Sequence, residues 1–285
     1  MTCEELSLSG RVDLAALRFN TGAPHKLLAL HGWLDNAMSF HGLAEALPEC
    51  EIVALDFAGH GRSAHLPDGC WYHFVDYLDD VQAALAGLDW PRATLLGHSL
   101  GGAVATAFAA ARPDAIERLI LIEALGPLAS APEAAVDALR RGIAERRAIN
   151  NKQLRLFESP AQAVKARLLA TPMAEASAAA LISRGLREAG SGWVWSSDPR
   201  LTVTTPLRLS EPAVQAWIAA VEAPTQLIVA DHPPPYFDRA TQQARLARLR
   251  DGRVATLPGQ HHLHMDAPAP VAAAIREFLT LPTRV

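Results

Sequence analysis

The sequence predicts an α/β protein built on a mostly parallel sheet covered by helices on both sides. Three observations carry that prediction. Short apolar runs alternate along the chain with amphipathic segments at helical spacing, the order that winds a parallel sheet. Runs such as Lys26-Leu27-Leu28-Ala29-Leu30 and Leu119-Ile120-Leu121-Ile122 are apolar at nearly every position, as strands buried on both faces must be. One run, Ala93-Thr94-Leu95-Leu96, passes directly through Gly97-His98-Ser99-Leu100-Gly101 into an Ala-rich segment. That is strand, sharp turn and helix, the setting in which Gly-x-Ser-x-Gly exposes a serine.

Taken in order, residues 5–20 alternate weakly around Val12, Leu14, Leu17 and Phe19 and predict one or two edge strands. The strand at 26–30 leads into His31-Gly32-Trp33-Leu34-Asp35-Asn36. A helix follows through Phe40, Leu43, Ala44 and Leu47, stopped by Pro48. The strand at 51–55 runs into the Gly-rich loop Asp56-Phe57-Ala58-Gly59-His60-Gly61-Arg62-Ser63, and a helix spans 74–88. After the Ser99 turn and its helix, the strand at 119–122 ends at Glu123-Ala124. Residues 126–222 read as Ala- and Arg-rich helices without a convincing buried strand. The strand pattern resumes at 225–230 and ends at Asp231-His232, followed by a helix at about 237–250. A last strand at 253–257 ends at Pro258-Gly259-Gln260-His261-His262, and a terminal helix presents Val271, Ala274, Ile275, Phe278 and Leu279 on one face. His31, Asp56, Ser99, Glu123, Asp231 and His261 all follow the carboxyl ends of predicted strands, where parallel sheets carry function.

Composition narrows the function classes. The 285 residues fit one large α/β domain with an insertion, and half of them are hydrophobic, enough for a large core. A net charge of −4 carries no nucleic-acid or membrane-surface signature. Cys3, Cys50 and Cys70 form no C-x-x-C pair and read as reduced thiols. The N-terminus has no basic and apolar leader and no apolar run is long enough to span a bilayer, so the expectation is a cytoplasmic protein with no membrane or nucleic-acid partner. No His/Cys/Asp spacing resembles a metal-ligand motif, so neither a metal nor a cofactor is expected.

A serine hydroxyl is a weak nucleophile and needs a base within hydrogen-bond reach, itself oriented by a carboxylate. At the Ser99 turn a Cβ on Gly97 or Gly101 would meet neighbouring backbone, and the following helix directs unpaired N–H groups toward developing negative charge.

The motifs HGW at 31–33, GHGRS at 59–63, GHSLGG at 97–102 and PGQHHLHMDAP at 258–268 resemble, in order and spacing, those of the α/β-hydrolase superfamily over essentially the whole chain. LHGWLDNAMSF at 30–40 and GWVWSSDPRL at 192–201 look most like its serine hydrolase-like branch, whose members are mostly predicted hydrolases. The resemblance implies an α/β-hydrolase fold, with a core at 1–125 and 223–285 and a helical cap at 126–222 roofing the site.

It also implies roles. Family members carry a Gly-His followed seven residues later by Pro, and counting back from Pro268 gives His261 as the base, with Gln260 replacing the usual Gly. His262 and His264 are expected to be helix-start or packed histidines, and His60 and His98 to hold loops. The commonest family site for the acid falls here on Pro233, which leaves Asp231, slightly early, and Glu123. Ile122-Glu123-Ala124 resembles the Met-Glu-Ala segment of haloalkane dehalogenases, and Glu123 is preferred, its alternative role being to cap the next loop. Asp56 is expected to pair with backbone N–H groups. The oxyanion donors implied are the backbone N–H groups of Leu100 and Trp33.

The expected activity is that of a carboxylesterase-like serine hydrolase acting on a small ester, thioester or lactone through an acyl-enzyme on Ser99. Its rivals are a C–C bond hydrolase or a perhydrolase with the same triad, and a ligand-binding protein that keeps the fold without turnover. Arg140, Arg141, Arg146, Arg147, Lys152, Arg155, Lys165 and Arg167 outnumber Glu145 and Glu158 between 140 and 167. This stretch reads as a solvated helix face in preference to a trap for anionic substrates. Trp193, Trp195 and Trp217 either line an acyl pocket or pack the insertion against the core.

Overall fold

The computed structural model describes residues 1–149 and 154–280. Lys152, part of the basic stretch, lies outside the described residues.

Strands β1 (Cys3–Ser9), β2 (Asp13–Phe19), β3 (His25–Leu30), β4 (Cys50–Leu55), β5 (Ala93–His98), β6 (Ile116–Ile122), β9 (Thr225–Ala230) and β10 (Gly252–Leu257) form one eight-stranded sheet in the order β1-β2-β4-β3-β5-β6-β9-β10. The strands between β6 and β9 in sequence, β7 (Leu186–Ala189) and β8 (Gly192–Trp195), make a separate antiparallel hairpin. β2 runs antiparallel to β1 and β4, and every other pairing in the large sheet is parallel. The helices are α1 (His41–Ala46), α2 (Asp76–Gly87), α3 (Leu100–Ala111), α4 (Ala135–Ile149), α5 (Pro160–Ala170), α6 (Glu175–Gly185), α7 (Glu211–Ala219), α8 (Arg239–Leu246), α9 (Leu263–Asp266) and α10 (Pro268–Thr280).

The alternation of side chains along each strand divides the core in two. Leu28, Leu30, Val53, Leu55, Leu95, Leu121 and Leu227 pack on the face covered by α2, α3 and α7. Leu27, Ala29, Ile52, Ala54, Leu96, Ile120 and Ile228 pack on the face covered by α1 and α10. Every residue of β4, β5 and β9 is buried, the physical basis of their mostly apolar sequences. β10, at the sheet edge, alternates between exposed and half-buried positions.

The structure departs from the sequence expectations in three places. The inserted stretch contains the β7–β8 hairpin, too short and too locally paired to show as a buried run. Within the same stretch α7 sends Val214 and Ile218 into the main core cluster beside Val104 and Leu121, so this helix belongs to the packing of the sheet. The helix expected at 237–250 spans only Arg239–Leu246; its start is set by Asp238, whose side chain accepts from the Thr241 N–H at 2.8 Å and caps the first turn. All three cysteines are free, and burial pushes the Cys50 thiol up to about 12. Among the described residues no helix is long and apolar enough to cross a membrane.

Candidate active site

The site is assembled at the carboxyl ends of β3, β5, β6 and β10. Ser99 joins β5 to α3 at φ 51°, ψ −113°, a left-handed conformation that L side chains rarely adopt and that costs about 1–3 kcal/mol. The surrounding backbone forces it. A Cβ on Gly97 would lie 2.5 Å from the Gly101 carbonyl oxygen and 2.6 Å from the Gly102 Cα, and one on Gly101 would overlap the Leu30 carbonyl. The Gly101 N–H donates to the His31 carbonyl at 3.0 Å and the Ser99 N–H to the Ile122 carbonyl at 3.0 Å, so neighbouring strand ends fix the turn. Ser99 and Leu100 are half-buried at the start of α3.

Glu123 follows β6 at φ 58° and is buried. Its Oε1 accepts from the Ala230 N–H at 2.6 Å, and its Oε2 lies 3.4 Å from His261 Nδ1. The hydrogen bond to Ala230 anchors the carboxylate so that its second oxygen is left to the imidazole. The His261 side chain keeps 22 % of its surface exposed, and its carbonyl accepts from His98 Nε2 at 2.8 Å. Tyr236, which sequence reasoning did not single out, stands edge-on to the His261 ring at 6.3 Å. Asp231 faces elsewhere: its Oδ1 pairs with His232 Nδ1 at 2.8 Å and accepts from the Gly259 N–H at 3.2 Å. The fold thus brings Glu123, and not Asp231, to His261.

The first loop is built around buried histidines. His31 Nδ1 donates to the Gly32 carbonyl at 2.7 Å and its Nε2 accepts from the Phe57 N–H at 3.1 Å, which fixes its tautomer. Burial pushes His31 below the ordinary histidine range. The Trp33 indole is half exposed and donates to the Leu201 carbonyl at 3.1 Å, reaching the inserted stretch. Asp56 accepts from the Ala37 N–H at 2.7 Å and the Arg62 N–H at 2.8 Å, as its loop position predicts, and also from Arg184 Nε at 2.7 Å.

Several roles were not visible in the sequence. Arg184 on α6 joins Asp56 to Glu5, and Arg167 on α5 reaches Asp35 Oδ1 at 2.5 Å. Of the basic stretch, Arg146 also binds the Cys70 carbonyl and Arg155 lies over Phe157. Trp195 packs edge-on to Phe157 inside the insertion, and Trp217 stacks on Phe74 of the body. His262 and His264 stand at the start of α9 and are buried, the packed alternative of the two expected for them. Asp35, His98 and His262 bring three potential ligand atoms within 4.8 Å of one another, a gathering that linear spacing does not reveal. The Asp35 carboxylate already carries the Arg167 guanidinium, so a divalent ion there would face that cation across one shared acid.

Comparison with known proteins gives the chain's family and fold. The alpha/beta hydrolase fold family matches residues 27–268. A serine hydrolase-like protein of Danio rerio is 30% identical over 274 residues, covering 89% of this chain and 81% of that protein. A hypothetical protein of Pseudomonas aeruginosa PAO1 superposes with a TM-score of 0.88 at 37% identity, covering 98% of both chains. The thioesterase domain from the curacin biosynthetic pathway does so at 0.86 and 26% identity, covering 99% of this chain and 100% of that one. A strained serine between strand and helix, a buried glutamate on the next strand end and a histidine facing it are therefore set in a chain that belongs to the alpha/beta hydrolase fold family, in its serine hydrolase-like branch.

Proposed function

We propose that the protein is a serine hydrolase that cleaves a small ester, thioester or lactone through an acyl-enzyme on Ser99, with His261 as base and Glu123 as its orienting acid. The observation that carries this reading is the Glu123 carboxylate, tied by one oxygen to the Ala230 N–H and offering the other to His261 Nδ1 at 3.4 Å. The hydrolase relatives support it, and the likeness to a thioesterase domain keeps thioesters within the substrate class.

In this mechanism Ser99 Oγ attacks the acyl carbon while its proton passes to His261 Nε2, and the carbonyl electron pair moves onto oxygen. The backbone N–H groups of Leu100 and Trp33 hold the oxyanion, and the dipole of α3 favours the same charge. Glu123 Oε2 accepts from His261 Nδ1–H and stabilises the imidazolium. Collapse breaks the bond to the leaving group, which takes the proton from His261. Water then repeats the sequence, losing a proton to His261 and releasing the acid and free Ser99. Each proton and electron pair is handled by side chains and backbone amides, so the scheme calls on no metal or cofactor. The inserted stretch, which Trp33 meets through Leu201, acts as a cap that shapes the acyl pocket.

Hydrolysis of p-nitrophenyl esters of graded chain length tests the reading. Wild type turns over, Glu123→Gln loses at least a hundredfold in kcat, and Asp231→Asn stays within twofold. Wild type that is folded yet inert toward every ester and thioester tried points instead to a binding protein that has kept the fold.

A further inference from the structure

Asp35 lies fully buried between the residues that flank the two proposed catalytic side chains. His98, which precedes Ser99, places its Nδ1 3.7 Å from Asp35 Oδ2, beyond hydrogen-bond distance, and touches this group without binding it. His262, which follows His261, donates through Nε2 to the same oxygen at 3.2 Å. The other Asp35 oxygen accepts from Arg167 Nη2 at 2.5 Å, across 132 residues of sequence, so the counter-charge comes from α5 of the inserted stretch. His98 closes the circuit, because its Nε2–H donates to the His261 carbonyl. A second tie runs in parallel: Asp266, at the end of α9, accepts from the Ser177 hydroxyl at 2.6 Å and the Ala174 N–H at 3.0 Å, both on the inserted side. The segment bearing His261 is therefore held from three directions, and two of them originate in the insertion.

We propose that Asp35 is a positioning residue for His261, and that Arg167 makes this positioning depend on α5 being seated against the body. The proposal rests on the hydrolase reading above for its kinetic consequence, and on geometry alone for the placement of the imidazole. A carboxylate with no solvent around it holds its charge only while a cation faces it. Burial pushes Asp35 up, but the hydrogen bond and charge of His262, with the charge of Arg167, outweigh it and hold the acid well below the usual carboxylate range. With Arg167 withdrawn, Asp35 loses its anchor, His262 loses a fixed acceptor, and the next residue back, His261, is freed to drift from Glu123. A small displacement of a catalytic base is felt strongly in the rate while leaving substrate contacts intact. The insertion then acts on chemistry as well as on pocket shape, and a substrate that loosened or tightened α5 would change the alignment of the base.

The test compares Arg167→Met and Arg167→Lys, with Asp35→Asn as the more severe variant, in the full chain. Arg167 reaches Asp35 through a single nitrogen, so lysine supplies the charge that methionine lacks. Two readouts are taken on variants checked for folding by thermal melting. One is kcat and KM with a p-nitrophenyl ester. The other is the low-field proton resonance of His261 Nδ1–H in its hydrogen bond to Glu123. Arg167→Met lowers kcat about tenfold with KM within twofold and weakens or shifts the low-field resonance, and Arg167→Lys recovers most of both. Variants that melt earlier but keep wild-type kcat and an unchanged resonance would make the network purely structural and overturn the proposal. If wild type itself shows no turnover, the hydrolase reading fails. The resonance then decides alone: its loss in Arg167→Met and return in Arg167→Lys uphold the positioning, and its persistence in Arg167→Met overturns it.

Discussion

At the scale of single residues, the site concentrates strain. Ser99 and Glu123 both hold positive φ, and they occupy adjacent strand ends tied by the Ser99 N–H to the Ile122 carbonyl. Glycine alone adopts the Ser99 conformation freely, so Ser99→Gly is expected to be more stable than Ser99→Ala by about 1–2 kcal/mol, reversing the usual preference at the head of a helix. Urea melts of the two inactive variants measure it directly, and Ala equal to or above Gly would mean that the turn relaxes without cost. The serine was legible because its motif is contiguous and its strand and helix are the strongest local patterns in the chain. Glu123 was half legible: its place at a strand end is local, but the bond that singles it out from Asp231 is made to Ala230, 107 residues away. Nothing local marks Arg167, whose partner lies on the first loop.

At the scale of elements, burial explains which predictions were easy. β4, β5 and β9 are buried throughout, and a run of apolar residues has few other uses. The β7–β8 hairpin and the start of α8 were hidden because a four-residue strand and a capping aspartate leave little periodic trace. α7 makes a sharper point, since it lies within the insertion by sequence and within the core by packing. Ile218→Ala should therefore cost about 2–5 kcal/mol, as for a sheet residue, whereas Leu169→Ala on α5, 89% exposed, should stay within about 0.5 kcal/mol. Chemical denaturation of the two variants separates them, and equal small losses would return α7 to the periphery. The turn glycines behave in the same way: Gly101→Ala drives a methyl into the Leu30 carbonyl and should abolish either folding or turnover.

At the scale of the whole molecule, buried histidines set the response to acid. His31, His60, His98 and His264 are buried; burial together with neighbouring rings pushes His60 and His264 down to about 3 and His98 well below the ordinary range, and burial is the main cause that lowers His31. In the unfolded chain each takes up a proton near pH 6.5. Below that pH the unfolded state binds more protons than the native state, so stability falls as pH drops, by up to about 1.4 kcal/mol per pH unit for each such histidine. Asp35, held low in the native state, adds a further loss below about pH 4. Urea midpoints between pH 7.5 and 5 should decline steadily, and His264→Leu should flatten the decline, since neither ring nitrogen of His264 has a hydrogen-bond partner. A stability plateau across that range would show that these rings are charged in the native state. The α/β architecture was visible in the sequence, because strand order follows from alternation and parallel winding, but the histidine and arginine networks that lock the insertion to the body were not, being contacts between distant segments. The central claim, that Ser99 is activated through His261 and Glu123, is tested most directly by fluorophosphonate labelling read by mass spectrometry. One adduct per chain is expected, on Ser99, forming at least ten times more slowly in Glu123→Gln. A folded wild type that remains unlabelled, or a Glu123→Gln variant labelled at the wild-type rate, would contradict it.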